Sequence, residues 1–344
     1  AADEPAGNVS FRYDIHGNLS AVTDAKGRTT QYTYDDFGNR VAVVYPDTGT
    51  VTMRYDAAVN LFEKTDANTI TVSYVYDALN RLTGIFYPDN ALNVEYTYDA
   101  GSNGKGRLTA VRDNSGSYGF QYNAFGELSA ETATISNHTF PTSYSYNDNG
   151  ELVAVTYPSG RIVTSERDAA GNVTAIRSVY QGQTNLVAES IARLPFGPPT
   201  AMTLGNGLSV ASPYDQLYRL TSIQAGGLMH RSYSYIAIRQ VTAIADQLAS
   251  AKSQSFAYDE AGRLLSAQGG YGAINYTYEE AGNRLTSVQD GVTSTYTYAQ
   301  SSNRLQRVQG AESIDYSYDA AGNPLSKGHQ TYTRNRQIQL ARDT

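Results

Sequence analysis

The feature that most restricts this chain is a motif, Tyr-x-Tyr-Asp, that returns at nearly constant intervals. Its second aromatic falls at Tyr13, Tyr34, Tyr55 and Tyr76, in equal steps of 21 residues. It continues at Tyr98, Tyr122 and Tyr146 with steps of 22 to 24, and Arg167 takes the position in Ser165-Glu166-Arg167-Asp168. The motif resumes at Tyr214, Tyr235 and Tyr258, then runs through Tyr278, Tyr298 and Tyr318 in equal steps of 20, with a shorter copy centred on Tyr332. A fixed period of this length marks an array in which each copy is one supersecondary unit that packs on its neighbours.

The grammar of a copy is that of strands. In Tyr96-Thr97-Tyr98, Tyr32-Thr33-Tyr34 and Tyr316-Ser317-Tyr318 the rings recur at i and i+2, so both point to one face of a strand. A turn follows, as Asp14-Ile15-His16-Gly17, Asp35-Asp36-Phe37-Gly38, Asp259-Glu260-Ala261-Gly262 or Asp319-Ala320-Ala321-Gly322, with Gly282 in the matching place after Tyr278. Asp at the first position accepts backbone N–H groups just ahead of it, and Gly at the fourth tolerates positive φ. An apolar strand comes next, such as Arg107-Leu108-Thr109-Ala110-Val111, and a second turn such as Tyr157-Pro158-Ser159-Gly160 closes the unit. The expected fold is all-β: about fifteen antiparallel β-hairpins in tandem. Residues 1–333 read as a single array, with an irregular stretch at about 178–213 and a second irregular unit at about 235–256. Residues 334–344 read as a tail that continues into further sequence, and the chain as a segment of a longer polypeptide.

Composition narrows the functional classes. The chain holds 29 Tyr but only 9 Phe and no Trp, so the excess belongs to tyrosine rather than to aromatics at large. The net charge of −7 argues against a nucleic-acid partner and an anionic membrane surface. No apolar run approaches the ~18 residues of a spanning helix, so no membrane insertion is expected. The absence of cysteine excludes disulfides, thiolate metal sites and a cysteine nucleophile.

Candidate chemistry is sparse. Asp47-Thr48-Gly49 matches the short signature of aspartic proteases, but it lies inside a Tyr-Pro-Asp-x-Gly turn and has no second copy. The histidines His16, His138, His230 and His329 are far apart and form no zinc pattern. Asn147-Asp148-Asn149-Gly150 is the densest local oxygen cluster, without the spacing of a calcium loop. Asn18, Asn137 and Asn172 open Asn-x-Ser/Thr sequons that matter only in a eukaryotic secretory host. No catalytic residue, cofactor or metal ligand is expected. The tyrosine pairs read as cross-strand aromatic ladders that fasten neighbouring hairpins, the alternative being a sugar-stacking surface.

The unit Tyr-Asp-x-x-Gly-Asn/Arg-Leu-x-x-Val resembles the YD repeat of the Rhs family. The best copies start at Tyr34, Tyr258 and Tyr318, and the resemblance runs from about Phe11 to about Tyr332. It implies a β-sheet ribbon that spirals into a partial hollow shell. In bacterial Rhs toxins and in the C subunit of insecticidal toxin complexes such a shell encloses a toxic C-terminal domain; in teneurins a similar shell serves adhesion outside the cell. The bacterial toxins end their shell in an Asp-Pro-containing, self-cleaving segment. This sequence has no Asp-Pro dipeptide, so none of those residues can be placed here. The resemblance thus implies a secreted or cell-surface structural scaffold. Its partner is the remainder of its own polypeptide or an enclosed toxin, the alternative being an adhesion or glycan-binding module. About thirty strands at ~4.8 Å spacing make a ribbon roughly 140 Å long, about one turn of a wall some 45 Å across. Such a wall leaves two sheet edges open, and self-association through them is a further expectation.

Overall fold

The computed structural model describes residues 7–195, 197–237, 239–334 and 340–343. The opening 1–6 and most of the expected tail 334–344 lie outside the described residues, as does Phe196 of the proline-rich stretch. The described chain is almost entirely strand: 32 short strands and two single-turn 3-10 helices, Asn90–Leu92 and Ser250–Lys252. No helix among the described residues is long and apolar enough to cross a membrane.

Contacts gather the chain into two compact units. One comprises Ala1–Glu95, Ala257–Ala267 and Gly272–Thr344; the other comprises Tyr96–Phe256 and Gln268–Tyr271. In the first unit Ser10–Tyr13 pairs with Leu19–Thr23, that strand with Thr29–Tyr34, and Thr29–Tyr34 with Arg40–Tyr45, each antiparallel. The same succession of neighbours continues to Leu82–Phe86 and recurs from Gly272–Tyr278 to Gln330–Arg334. The second unit is built alike, from Leu108–Asp113 through Val241–Asp246.

The sheet is one layer thick over most of its extent. Only seven apolar side chains among the described residues are buried, five of them alanines, and Val43 is the most completely buried. The chain exposes 20831 Å², against roughly 14,000 Å² for a compact chain of this length. Packing therefore lies between neighbouring strands of one sheet rather than between layers.

Every regular copy carries a β-bulge at the same place. The register slips between Thr33 and Tyr34, Arg54 and Tyr55, Val75 and Tyr76, Gln121 and Tyr122, Ser145 and Tyr146, Thr277 and Tyr278, and Ser317 and Tyr318. A bulge adds one unpaired residue, bends its strand and raises the local twist. The motif tyrosine is thus the residue on which each strand turns away from its partner.

The irregular stretches are hairpins with altered register. Gln183–Arg193 pairs with Pro199–Leu204 through two register shifts, and Ser190 takes a positive φ of 54°. The Leu194 N–H still donates to the Pro198 carbonyl at 3.2 Å, the spacing of the bond that closes the regular turns. Pro199 opens its strand, a place where a missing N–H costs the ladder nothing. After Tyr98 the turn is lengthened, and Asp99 N–H reaches the carbonyl of Arg107 at 3.1 Å.

Candidate functional site

The motif residues gather along one rim of each strip of sheet. Tyr13, Tyr34, Tyr55, Tyr76, Tyr98, Tyr146, Tyr258, Tyr278, Tyr298 and Tyr318 each end a strand, and the turn follows at once. Within the turn Asp35 Oδ1 accepts the N–H groups of Phe37 (3.0 Å) and Asn39 (2.8 Å), while Asn39 donates its amide to Asp35 Oδ2 at 3.0 Å. The same bonds form at Asp14, Asp56 and Asp168. At Asp77, Asp215 and Asp259 an arginine replaces the asparagine and adds an ion pair. Two copies use the reverse polarity, with Asn123 and Asn147 donating to Glu127 and Glu151.

These bonds favour the ionised carboxylate. The Asn18 side chain leads in holding Asp14 below the ordinary carboxylate value, and Asn60 does the same for Asp56. For Asp77, Asp168 and Asp215 the largest cause is the backbone N–H four residues on. At Asp259 and Asp319 burial pushes upward, but the hydrogen bonds outweigh it and the value still falls.

The fourth turn position is left-handed in the regular copies. Gly17, Gly38, Gly262, Gly282 and Gly322 have φ between 80° and 89°. Val59, Thr69, Asn80 and Tyr218 adopt the same region at 67°, 62°, 59° and 61°. Val59 and Thr69 are β-branched, so the rest of the turn holds them in a strained backbone.

The hydroxyls explain the preference for tyrosine. Tyr34 donates to the carbonyl of Leu19 at 3.0 Å, Tyr76 to Leu61 at 2.9 Å, Tyr122 to Leu108 at 2.7 Å and Tyr146 to Leu128 at 2.9 Å. Tyr55, Tyr235, Tyr278 and Tyr318 do likewise to Arg40, Leu220, Leu264 and Leu305. In the first example the backbone ladder ends at Ala21 and Gln31, two residues before Leu19. The hydroxyl therefore takes an acceptor that the diverging strands abandon. Phenylalanine could fill the space but could not donate. Arg167, the one non-aromatic marker, donates instead: its guanidinium reaches the Leu152 carbonyl at 3.0 Å and the Gly171 carbonyl at 2.6 Å.

Arginines after the turn add a second tie between copies. Arg219 stands over the Tyr235 ring at 5.0 Å and donates to the Ile236 carbonyl, and Arg263 does the same with Tyr278 and the Glu279 carbonyl. The first tyrosine of each pair has a different role. Tyr32 lies across from Val43, Tyr74 from Ile85, Tyr144 from Val155 and Tyr233 from Ile244. Direct cross-strand partners are thus β-branched in these copies, and Ser287 and Lys327 stand opposite Tyr276 and Tyr316. None of these partners is aromatic, which corrects the expectation of directly stacked rings. An aromatic against a β-branched side chain fills the pleat as well as two rings do.

Large apolar residues sit at several turn tips. Ile15 is 96% exposed and Phe37 and Phe125 are each 89% exposed. A depression of about 690 Å³ lies between two neighbouring turns of the second unit, lined by Phe125, Glu127, Tyr144, Tyr146 and Asn147. Asn147 Oδ1 is occupied there by the N–H groups of Asn149 and Glu151. Among the described residues no group of three or more His, Asp or Glu side chains is placed to hold a metal ion. Asp47 of the Asp-Thr-Gly triplet accepts the backbone N–H of Asn303, the work of a structural acceptor.

Known proteins can now be set beside this geometry. The RHS repeat model matches residues 13–50 and 146–183. Those two stretches carry the RHS repeat. The likeness of fold to solved structures extends well beyond them. A crystal structure of TcdB2-TccC3-TEV superposes with a TM-score of 0.86 at 16% identity over 98% of this chain. The Photorhabdus luminescens Tc holotoxin pore superposes with a TM-score of 0.77 at 16% identity, again over 98%. The chain spans 20% of the length of each of those chains. No curated protein matches the sequence.

Proposed function

We propose that this chain is a wall segment of a shell or scaffold outside the cell, enclosing or presenting a cargo such as a toxin domain borne on the same polypeptide. The observation that carries the reading is the combination of a one-layer sheet with ties between many successive copies. Side chains that a catalyst would spend on substrate are spent here on joining one repeat to the next: the motif tyrosines, the turn aspartates and the following arginines. The work of such a sheet is to bound a space, and the chemistry belongs to what lies inside or beyond it. The likeness to chains of toxin complexes supports the same reading at the level of fold. Electron microscopy of the full-length gene product, together with limited proteolysis, tests it. The reading predicts particles with internal space and a protease-shielded segment outside the array. Solid globules with every other segment equally cleavable would refute it.

A second reading, an adhesion or glycan-binding module, rests on the depression beside Phe125, Tyr144 and Tyr146. It predicts hits on a glycan array that Phe125→Ala abolishes. An array without hits removes it.

A further inference from the structure

Within the first unit, turns 251 to 279 residues apart meet rim to rim. One side is the rim around Asp24, Lys26, Arg28, Asp47 and Asn68. The other is formed by the motif turns of the last three copies, at Glu279, Ala299 to Arg304, and Asp319 to Ala321. The bonds across it are polar, and one joins backbone to backbone, from the Gly7 N–H to the Glu280 carbonyl at 2.9 Å. Lys26 and Arg28 approach the Glu279 carboxylate. Arg28 also donates to Asn303 and to the Ala299 carbonyl. Asn303 donates its amide to Asp24 at 3.1 Å, and its N–H to Asp47. Arg304 donates to the Asp47 carbonyl. Asn68 donates to Asp319 at 2.9 Å and accepts from the Ala321 N–H at 3.3 Å. Backbones come close enough that a Cβ on Gly322 would stand 2.9 Å from the Asp47 carbonyl.

The motif departs from its own pattern where this contact forms. Glu279 stands in the place of the turn aspartate, one methylene longer, and its side chain is only 4% exposed. In the next copy Ala299 stands there, the turn has one extra residue, and Ala299 N–H pairs with the Arg304 carbonyl instead. That turn has no aspartate of its own to accept the N–H of Asn303. Asp47, 256 residues away, accepts it. The docked rim thus takes bonds from the other rim in addition to those within its own hairpins.

We propose that this contact is a separable clasp: it opens and closes as one unit while the hairpins on both sides stay paired. No strand ladder crosses it between the described residues named above, and each hairpin is closed by its own bonds, so parting the rims breaks only the polar set. The proposal concerns the ribbon itself and holds whether or not a cargo is enclosed.

Hydrogen exchange of the full chain tests it, comparing the native protein with Glu279→Gln. The substituted side chain touches neither Asn303 N–H nor Ala321 N–H, whose acceptors lie across the clasp. The expected result is a loss of protection of about ten-fold or more at both of these amides together, with strand amides in Val292–Tyr298 and Thr29–Tyr34 unchanged. Unchanged exchange at Asn303 and Ala321 would overturn the proposal, because the bonds would then be independent. Equal loss in the strands would overturn it as well, because rim and hairpin would then be one cooperative block. Spin labels give a second measurement on a chain that has no native cysteine. The Ala25→Cys, Glu280→Cys pair sits across the contact beside Gly7. Its dipolar broadening is expected to fall in an Asp47→Ala background, which removes the acceptor of the Asn303 N–H, while the far-ultraviolet circular dichroism stays constant. Broadening that disappears only as the dichroism does would again overturn it.

Discussion

Replacing motif tyrosines by phenylalanine isolates one atom of the repeat. In Tyr34→Phe, Tyr76→Phe and Tyr235→Phe the ring stays and the hydroxyl goes, with its bond of 3.0, 2.9 or 2.8 Å to the carbonyl of Leu19, Leu61 or Leu220. One such bond contributes on the order of 0.5–1.5 kcal/mol net, and an orphaned buried carbonyl raises the loss. These carbonyls lie at a rim that water reaches, so about 1 kcal/mol each is expected. The three sites share no partner, so their losses should add to about 3 kcal/mol. The matched control is Tyr32→Phe with Tyr74→Phe, two residues earlier, where the hydroxyl makes no hydrogen bond among the described residues. That pair should change stability by less than about 0.5 kcal/mol. Urea unfolding followed by circular dichroism gives the totals. Hydrogen exchange then shows whether each loss stays local to the two copies that the hydroxyl joins, as nearest-neighbour coupling requires. Equal losses in both series, or none in the first, would refute the assignment of tyrosine to the carbonyl.

Other outcomes follow from the same turns and ties. Arg167→Leu removes two carbonyl bonds and should cost about 1.5–3 kcal/mol in urea unfolding, whereas Arg167→Tyr, restoring the motif, should cost less than about 1 kcal/mol. Val59→Gly and Thr69→Gly relieve a left-handed β-branched residue and should each stabilise by about 0.5–1 kcal/mol, read from the urea midpoint. The values of Asp14, Asp35, Asp56, Asp77, Asp168 and Asp215 are lowered by folding. Their contribution is therefore complete above the unfolded value near pH 4 and is lost as pH falls through the lower folded values. An acid titration by circular dichroism should show loss of sheet below about pH 4, and a main transition near pH 6 would contradict it. At the alkaline end, burial pushes Tyr298 up to about 12, so its phenolate absorbance should rise later than that of exposed tyrosines. Phe37→Ser and Phe125→Ser should leave stability within about 0.5 kcal/mol and lower light scattering on concentration.

Much of this fold can be read from the sequence because its signals are local. The Tyr-x-Tyr alternation places two rings on one face, and Asp with Gly three residues on specifies the turn, so strands and turns follow within a window of ten residues. The bulge does not, because a slip between Thr33 and Tyr34 shows only against the partner strand. The hydroxyl acceptor is hidden for a similar reason: Leu19 is 15 residues before Tyr34 and offers a carbonyl, which every residue has. The tyrosine excess over phenylalanine was the available sign, since only a hydroxyl distinguishes the two. Arg167 makes sense only once the carbonyl of Leu152 is known to need a donor. The clasp lies furthest from local reading. Glu279 and Ala299 look like decay of a motif, and only the rim brought against them shows what Asp47 and Lys26 supply.

The direction of the tyrosine bonds has a consequence for how such a chain is made. Each backbone carbonyl named above as acceptor of a motif hydroxyl precedes its donor by 13 to 18 residues. During synthesis, then, a new hairpin always finds its anchor already folded behind it, and never waits for sequence still to come. Assembly can proceed like knitting, row upon finished row, with only the latest row exposed to mispairing. Removal of rows from the carboxyl end leaves every remaining tyrosine of this kind anchored. Removal from the amino end leaves the first one reaching for a carbonyl that is gone.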